Sequence, residues 1–350
     1  MTQTLEHEEV TVHRGSRSGL PLVIAIHSRA LGPAVGGIRL RRYGSWREGV
    51  ADALRLSEAM TYKCAVSGLD FGGGKTVIAL DEHTDLTPEL RAAALADLGE
   101  LIASFEGGYL AGPDVGTTPD DMVVLRHSSP YVFCLPEEHG GTGDSGTPTA
   151  TGVLAALRAG ADHTFDTASL AGRTVIVSGY GSVGSRIAAG LVADGARVLV
   201  SDVDESKRAA LRPGLTWLAP EQVPGTPADV LVPAAVGGVL SPETVAGLDV
   251  RLVVGPANNQ LTDDSVAALL AGRDIVWVPD FVASAGGVVY TLGREVDGLT
   301  QEAAIRRVSG IGDTVRLLLD RSRAKGTTPL DEAKTLAARR LTPPSSLATV

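Results

Sequence analysis

At 350 residues the chain exceeds what one hydrophobic core usually holds, so two domains are expected. A formal net charge of -10 argues against a general nucleic-acid binder, which needs clustered Lys and Arg for phosphate contacts, and 44% apolar residues argue against disorder. The two cysteines, Cys64 and Cys134, are too few for a disulfide framework or a thiolate metal centre. The acidic start MTQTLEHEEV lacks signal-peptide features, and no apolar run approaches the ~20 residues of a bilayer span, so a cytoplasmic protein without membrane or nucleic-acid partners is expected.

Two extended patterns, EEVTVH and LPLVIAIHS, fall within residues 9–28 and read as a hairpin. Ser45 with Glu48 forms the capping-box pattern, and the apolar spacing of Val50, Ala53, Leu54, Leu56, Ala59 and Met60 carries a helix through Lys63 to an end near Ser67 and Gly68. Lys75–Leu80 reads as a strand. Thr87–Pro88 opens a helix, Tyr109–Ala111 is a short strand running into Gly112, Pro113 and Asp114, and Thr118–Pro119 starts a short helix. The stretch Glu137–Thr147, EEHGGTGDSGT, has linker composition and is the candidate hinge.

Beyond the hinge, strands alternate with helices, the pattern of a parallel sheet: TVIVS from Thr174, RVLVS from Arg197, DVLVP from Asp229, RLVVG from Arg251 and DIVWV from Asp274. A long amphipathic helix over Gln301–Lys325 and a shorter one over Leu330–Arg340 follow, then a tail, LTPPSSLATV, expected to be mobile. The fold class is therefore α/β with two domains, the second a doubly wound, Rossmann-type unit, with a cleft expected between them.

After TVIVS comes Gly179-Tyr180-Gly181-Ser182-Val183-Gly184, a GxGxxG that opens a helix, and Asp202 with Val203 ends the next strand about twenty residues on. The glycines allow a tight turn and close approach of a pyrophosphate to the helix N-terminus. The acid accepts from ribose hydroxyls and repels a 2′-phosphate, which favours NAD over NADP.

The stretch Met60–Leu80 sets Lys63 and Lys75 on either side of three glycines. GGGKT is not a phosphate-binding P-loop: that spacing needs glycine at Leu69, and the order here is helix then strand instead of strand then helix. A lysine on the last turn of a helix suits a carboxylate clamp. A second lysine, near another cation and partly desolvated, would have its pKa lowered and could exchange protons, with Asp114 as a partner acid or base.

Seven ordered motifs carry a resemblance: GPAVGGIR (Gly32–Arg39), MTYK ending at Lys63, GGGKTVI, GPDVGT (Gly112–Thr117), GYGSVG, GPANNQL (Gly255–Leu261) and PDFVASAGGVV (Pro279–Val289). With them the chain resembles the glutamate/leucine/phenylalanine/valine dehydrogenase family over nearly its whole length, most closely the actinobacterial phenylalanine and valine members. The resemblance implies NAD-dependent oxidative deamination of an L-amino acid to a 2-oxo acid and ammonium, by a homo-oligomer. It implies that Lys63 holds the substrate carboxylate, Lys75 activates water and shuttles protons, and Asp114 binds the amino group. Arg39, Ser145, Thr149, Ala234, Ala235, Pro256, Ala257 and Asn258 match cofactor-lining positions, Asn258 lying near the substrate as well. The domains it implies are 1–137 plus 322–350 for substrate binding and oligomerisation, and 138–321 for NAD.

Glutamate enzymes of the family carry a lysine where Val35 precedes Gly36 and Gly37, and a buried carboxylate without a partner would cost several kcal/mol, so an apolar pocket is expected. Gly112, before Pro113, matches a position that is alanine or similarly small in branched-chain enzymes, which leans towards a large or aromatic side chain. Val288 and Thr291 match the other wall positions. Branched aliphatic substrates are the close alternative, because one methylene discriminates by only about 1–3 kcal/mol. Two family positions differ: NAGG reads Ser284-Ala285-Gly286-Gly287, and a common cysteine is Ala234. The loss of that asparagine motivates a second reading, an NAD-responsive regulatory protein on the same fold; retention of Lys63, Lys75 and Asp114 favours the enzyme.

Overall fold

The computed structural model describes residues 6–342, so nearly all of the expected mobile tail lies outside the described residues. The chain divides into two compact units. One runs to Asp144 and takes back Glu295–Gly298 and the residues from Leu336 on; the other comprises Ser145–Arg294 and Leu299–Thr335. The return to the first unit thus falls later than the 322 read from the sequence, while the first crossing falls inside the glycine-rich Glu137–Thr147 segment.

The first unit is built on a five-stranded mixed sheet. Its strands are β1 (Glu9–Arg14), β2 (Pro21–Ser28), β3 (Ala34–Arg42), β4 (Gly72–Leu80) and β5 (Tyr109–Pro113), in the order β1-β2-β4-β3-β5. β1 and β2 form the expected hairpin, Glu9 opposite Ile26, and β4, β3 and β5 run parallel. β2 shows the period-two logic of a sheet covered on both sides: Leu22, Ile24 and Ile26 enter one core, Val23 and Ala25 the other. The first core is closed by α2 (Pro88–Ala103) and α3 (Pro119–Arg126), through Leu95, Leu98, Ile102, Met122 and Leu125. The opposite face is covered by α1 (Trp46–Val66), whose Ala53 joins Val77 and Ala79.

The caps of α2 and α3 are as expected, Thr87 and Thr118 each accepting from a first-turn amide with proline following. Ser45 differs. Its side chain makes no cap, and Glu48 accepts from the amide of Gly44, one residue earlier than a capping box requires. β3 was not foreseen as a strand, because Gly36 and Gly37 interrupt its alternation.

The second unit carries a six-stranded, wholly parallel sheet: β6 (Thr174–Ser178), β7 (Arg197–Ser201), β8 (Leu215–Trp217), β9 (Val230–Pro233), β10 (Leu252–Val253) and β11 (Val276–Trp277). The order β11-β10-β9-β6-β7-β8 is that of a doubly wound dinucleotide fold, with the switch point between β6 and β9. β8 was missed in the sequence, being three residues long and only partly buried. Its helices include α4 (Gly146–Phe165), α5 (Ser182–Ala193), α6 (Pro242–Gly247), α7 (Ser265–Ala271), α8 (Asp280–Ala283), α9 (Gly286–Glu295), α10 (Gln301–Ser309) and α11 (Ile311–Lys325), followed by α12 (Pro329–Leu341). The single long helix expected over 301–325 is two, separated at Gly310. Among the described residues no helix is long and apolar enough to cross a membrane.

Candidate active site

Three parallel strands of the first unit align the residues singled out. The register sets Val35 opposite Gly73 and Ile38 opposite Thr76 on one side of β3, and Gly37 opposite Gly112 on the other. Lys75 on β4 therefore has only the backbone of Gly37 between it and the end of β5. Its amine reaches across to Asp114, Nζ donating to Oδ2 at 2.7 Å. A Cβ at Gly37 would lie 2.7 Å from Asp114 Cβ and 3.1 Å from Lys75 Nζ, so the pair needs glycine there.

The glycines before Lys75 serve packing. A Cβ at Gly73 would overlap the amide and hydroxyl of Thr61 and the carbonyl of Ser57. The last two turns of α1, and with them half-buried Lys63, are thereby drawn against the strand that carries Lys75. Cys64, beside Lys63, is fully buried and its thiol is pushed up to about 12 by burial, so it is a core residue and not a nucleophile.

Burial strongly favours the neutral form of Lys75 and pulls its pKa below the usual lysine range; Asp114 opposes that shift and Arg39 adds to it. Burial also opposes ionisation of Asp114, yet Lys75 and Arg39 hold its carboxyl well below the usual range. Arg39, matched in the sequence to a cofactor-lining position, here bridges two carboxylates, donating to Asp114 at 2.9 Å and to Asp52 at 3.0 Å. Sequence reasoning missed Asp52, which lies on α1 among ordinary polar positions and has no motif around it.

Gly112 behaves differently from the expectation. The space its missing methyl leaves is occupied by the ring of Phe133, which a Cβ at Gly112 would overlap. Phe133 is buried, and its amide donates to the carbonyl of Ala111. The glycine therefore makes room for a side chain of this chain, a contact across 21 residues that spacing could not reveal. Val35 is wholly buried; on α9, Val288 is half-buried and Thr291 almost wholly buried.

In the second unit the GxGxxG follows β6 and opens α5. Gly179 adopts φ +117° and packs against the backbone of Ala234 and Ala235, and a Cβ at Gly184 would overlap the Gly179 carbonyl. A Cβ at Gly181 would meet nothing within 4 Å, so the backbone there is open to an approaching group. This cradle, at a helix N-terminus and at the switch point of the sheet, fits the pyrophosphate of a dinucleotide. Tyr180 donates its amide to Asp202 Oδ2 at 2.8 Å, and Lys207 donates to the same oxygen at 2.8 Å; Ser182, within the motif, is the first residue of α5, and exposed Val203 follows the acid. Val183 is half-buried on the first turn of α5.

Pro256, Ala257 and Asn258 lie on a loop tied to β9 by the Ala257 amide, which donates to Pro233 O. A buried network missed in the sequence braces that loop: Trp277 Nε1 donates to Gln260 Oε1 at 2.9 Å, Gln260 Nε2 to Gly255 O at 2.9 Å, and the Gln260 amide to Asp280 at 2.6 Å. Ser284 donates to Asn258 Oδ1 at 3.5 Å. Gly286 and Gly287 admit the start of α4, a Cβ on Gly287 lying 2.8 Å from Thr149 Oγ1 and 3.2 Å from Ser145 Cβ. Ser145, Thr149 and the start of α9 are thus brought together.

A buried lysine paired with a half-buried carboxylate beneath glycine, together with a turn in the second unit that fits a dinucleotide, suits a dehydrogenase. Residues 5–130 match the Glu/Leu/Phe/Val dehydrogenase dimerisation domain, and residues 201–302 match the Glutamate/Leucine/Phenylalanine/Valine dehydrogenase domain. The chain belongs to this family. It is an amino-acid dehydrogenase, an oxidoreductase. It is 38% identical to a phenylalanine dehydrogenase of Caldalkalibacillus thermarum over 97% of this chain and 92% of that protein. It is also 38% identical to a valine dehydrogenase of Streptomyces virginiae, over 96% and 94%. The crystal structure of L-tryptophan dehydrogenase from Nostoc punctiforme superposes with a TM-score of 0.80 at 31% identity, covering 96% of each chain.

Proposed function

We propose that this amino-acid dehydrogenase oxidatively deaminates a hydrophobic L-amino acid with NAD, giving a 2-oxo acid, ammonium and NADH. The observation that carries this reading is the Lys75–Asp114 pair, a buried amine 2.7 Å from a carboxylate. Bound nicotinamide would supply one chemistry, acceptance of the α-hydride. The chain's own residues do the rest. Lys63 holds the substrate carboxylate as a point charge. Asp114, kept ionised, takes the amino group and exchanges a proton with it. Lys75, its amine favoured by burial, takes the proton of a water that adds to the α-carbon once the hydride has left, and returns it as ammonia departs. Gly36, Gly37 and Pro113 supply backbone around these groups. Arg39, Ser145, Thr149, Gly179–Gly184, Asp202, Val203, Ala234, Ala235 and Pro256–Asn258 are assigned to the dinucleotide, with Asp202 excluding a 2′-phosphate.

Buried Val35 supports an apolar substrate, since a side-chain carboxylate would find no cation at that position. Phenylalanine or another large side chain is the first choice, Gly112, Val288 and Thr291 being the residues assigned to recognise it. The Phe133 ring beside Gly112 favours the branched-chain reading, because it fills the space left by the missing methyl. The enzyme is proposed to be a cytoplasmic homo-oligomer, in keeping with two buried cysteines that are not joined in a disulfide and with its match to a dimerisation domain. NADH formation across a panel of L-amino acids at alkaline pH tests the reading. Turnover should be highest with phenylalanine, leucine or valine and negligible with glutamate. Binding of NAD without turnover of any amino acid would instead support the regulatory alternative.

A further inference from the structure

Behind the Lys75–Asp114 pair the first unit builds a second tier of charge, Arg39 and Asp52, in which the proposed function gives Asp52 no part. Arg39 Nε donates to Asp114 Oδ2 at 2.9 Å, while its Nη1 donates to Asp52 Oδ2 at 3.0 Å. Asp52, on the second turn of α1, also accepts from the Tyr43 hydroxyl at 2.7 Å and from Arg55 at 2.7 Å. The Arg39 and Asp52 side chains are only 12% and 10% exposed, a costly place for charge unless each partner is held. Asp52 thus sits one residue removed from the reacting groups and connects to them through one guanidinium.

We propose that Asp52 is a positioning residue for proton exchange at Lys75: braced by Tyr43, it aims Arg39 at Asp114 and fixes how much uncompensated positive charge faces the Lys75 amine. The inference rests on the reading of Lys75 as the proton-exchanging group. The charged groups that act on Lys75 are Asp114 after β5, Arg39 on β3 and Asp52 on α1. The Tyr109 hydroxyl of β5 is bonded to Thr76, and β2 sets Ala25 opposite Lys75. In this set Asp52 offsets Arg39. Removing its charge leaves the guanidinium unopposed on that side and favours the neutral amine further; it also removes Asp52's own attraction for a proton on Lys75, so both losses act in the same sense as burial. Geometry changes with charge, because an Arg39 released from Asp52 loses the partner that fixes its angle to Asp114.

The test uses the full-length protein with Asp52→Asn, Asp52→Glu and Tyr43→Phe. The protonation midpoint of Lys75 is read by NMR of ε-carbon-labelled lysine, its resonance assigned by its loss in Lys75→Arg, and separately from the pH profile of kcat/KM. Asp52→Asn should lower the midpoint by about one pH unit and kcat/KM by about tenfold, with KM for the amino acid within about twofold. Asp52→Glu should restore both most of the way. A folded Asp52→Asn with the parental midpoint overturns the proposal and leaves Asp52 a staple between α1 and β3. If Asp52→Asn does not fold, Tyr43→Phe should give a smaller shift in the same direction, and an unmoved midpoint there also overturns it. Should the parent enzyme turn over no amino acid, the proposed function fails, while the NMR midpoint still decides the role of Asp52.

Discussion

Lys75 and Asp114 stand 39 residues apart in the chain and 2.7 Å apart in space, and the residue that permits this is Gly37 on the strand between them. Lys75→Ala should lower kcat by about 10²–10⁴, the usual worth of a positioned acid–base group, and leave dinucleotide binding unchanged by fluorescence titration. Gly37→Ala should have a similar consequence by a different route. Its methyl would stand 2.7 Å from Asp114 Cβ and 3.1 Å from Lys75 Nζ, so the pair must open. We expect at least a hundredfold loss of kcat, about 2.7 kcal/mol, with the fold intact by circular dichroism. Turnover in the parent should rise with pH as Lys75 loses its proton, with a midpoint below that of a free lysine because burial lowers its pKa. The Lys75–Asp114 pair was legible in the sequence because each residue sits in a glycine-rich motif, GGGKT and GPDVGT, while Lys63 was singled out by its place on the last turn of a helix. Asp52 was not, because its partners Arg39, Tyr43 and Arg55 meet only once α1 has packed on the sheet. Gly112 was legible as a special position but not in its cause, since Phe133 arrives from a later segment.

At the scale of elements, period and punctuation located most helices and the strands of the second sheet. What they missed has physical reasons. β8 is too short and exposed to show a pattern, β3 is broken by the two glycines its neighbours require, and Gly310 divides a helix whose amphipathic pattern runs straight through it. The hairpin of β1 and β2 is fastened to α2 by a contact spanning some eighty residues. Asp97, whose side chain is 2% exposed, accepts from the amides of Arg17 and Ser18, from the Ser16 and Ser18 hydroxyls and from the Arg17 guanidinium. Burial opposes its ionisation, but these donors prevail and bring its pKa down to about 2. The native state therefore binds this proton less readily than the unfolded chain. The stabilisation is present above the unfolded value of about 3.9 and is lost as pH falls through about 2. Asp97→Asn should cost about 2 kcal/mol at about pH 7 in urea unfolding, and the gap to the parent should narrow as the acid is titrated. A gap independent of pH would mean that packing at this position, and not charge, fastens the hairpin.

The molecule carries separate cores, the clusters on either face of the first sheet and a third under β6, β9 and β10, so its chemistry and its nucleotide grip should be separable by mutation. A chain with two such units need not unfold in one step, and a ligand held by one of them should move the transition of that unit. NADH at about 100 times its Kd should stabilise the second unit by about 2.7 kcal/mol. Differential scanning calorimetry should show this as a rise in the midpoint of the transition lost in Gly184→Val. That side chain would overlap the Gly179 carbonyl and push α5 off the turn proposed to hold the pyrophosphate. Lys75→Ala should keep the full NADH-dependent rise while having lost turnover, because its side chain belongs to the first unit. If Lys75→Ala abolishes the rise, or Gly184→Val retains it, the assignment of dinucleotide binding to the second unit is wrong. The two variants thus test the division of labour from opposite sides: one should remove proton exchange and spare the grip, the other remove the grip and leave the Lys75–Asp114 pair in place.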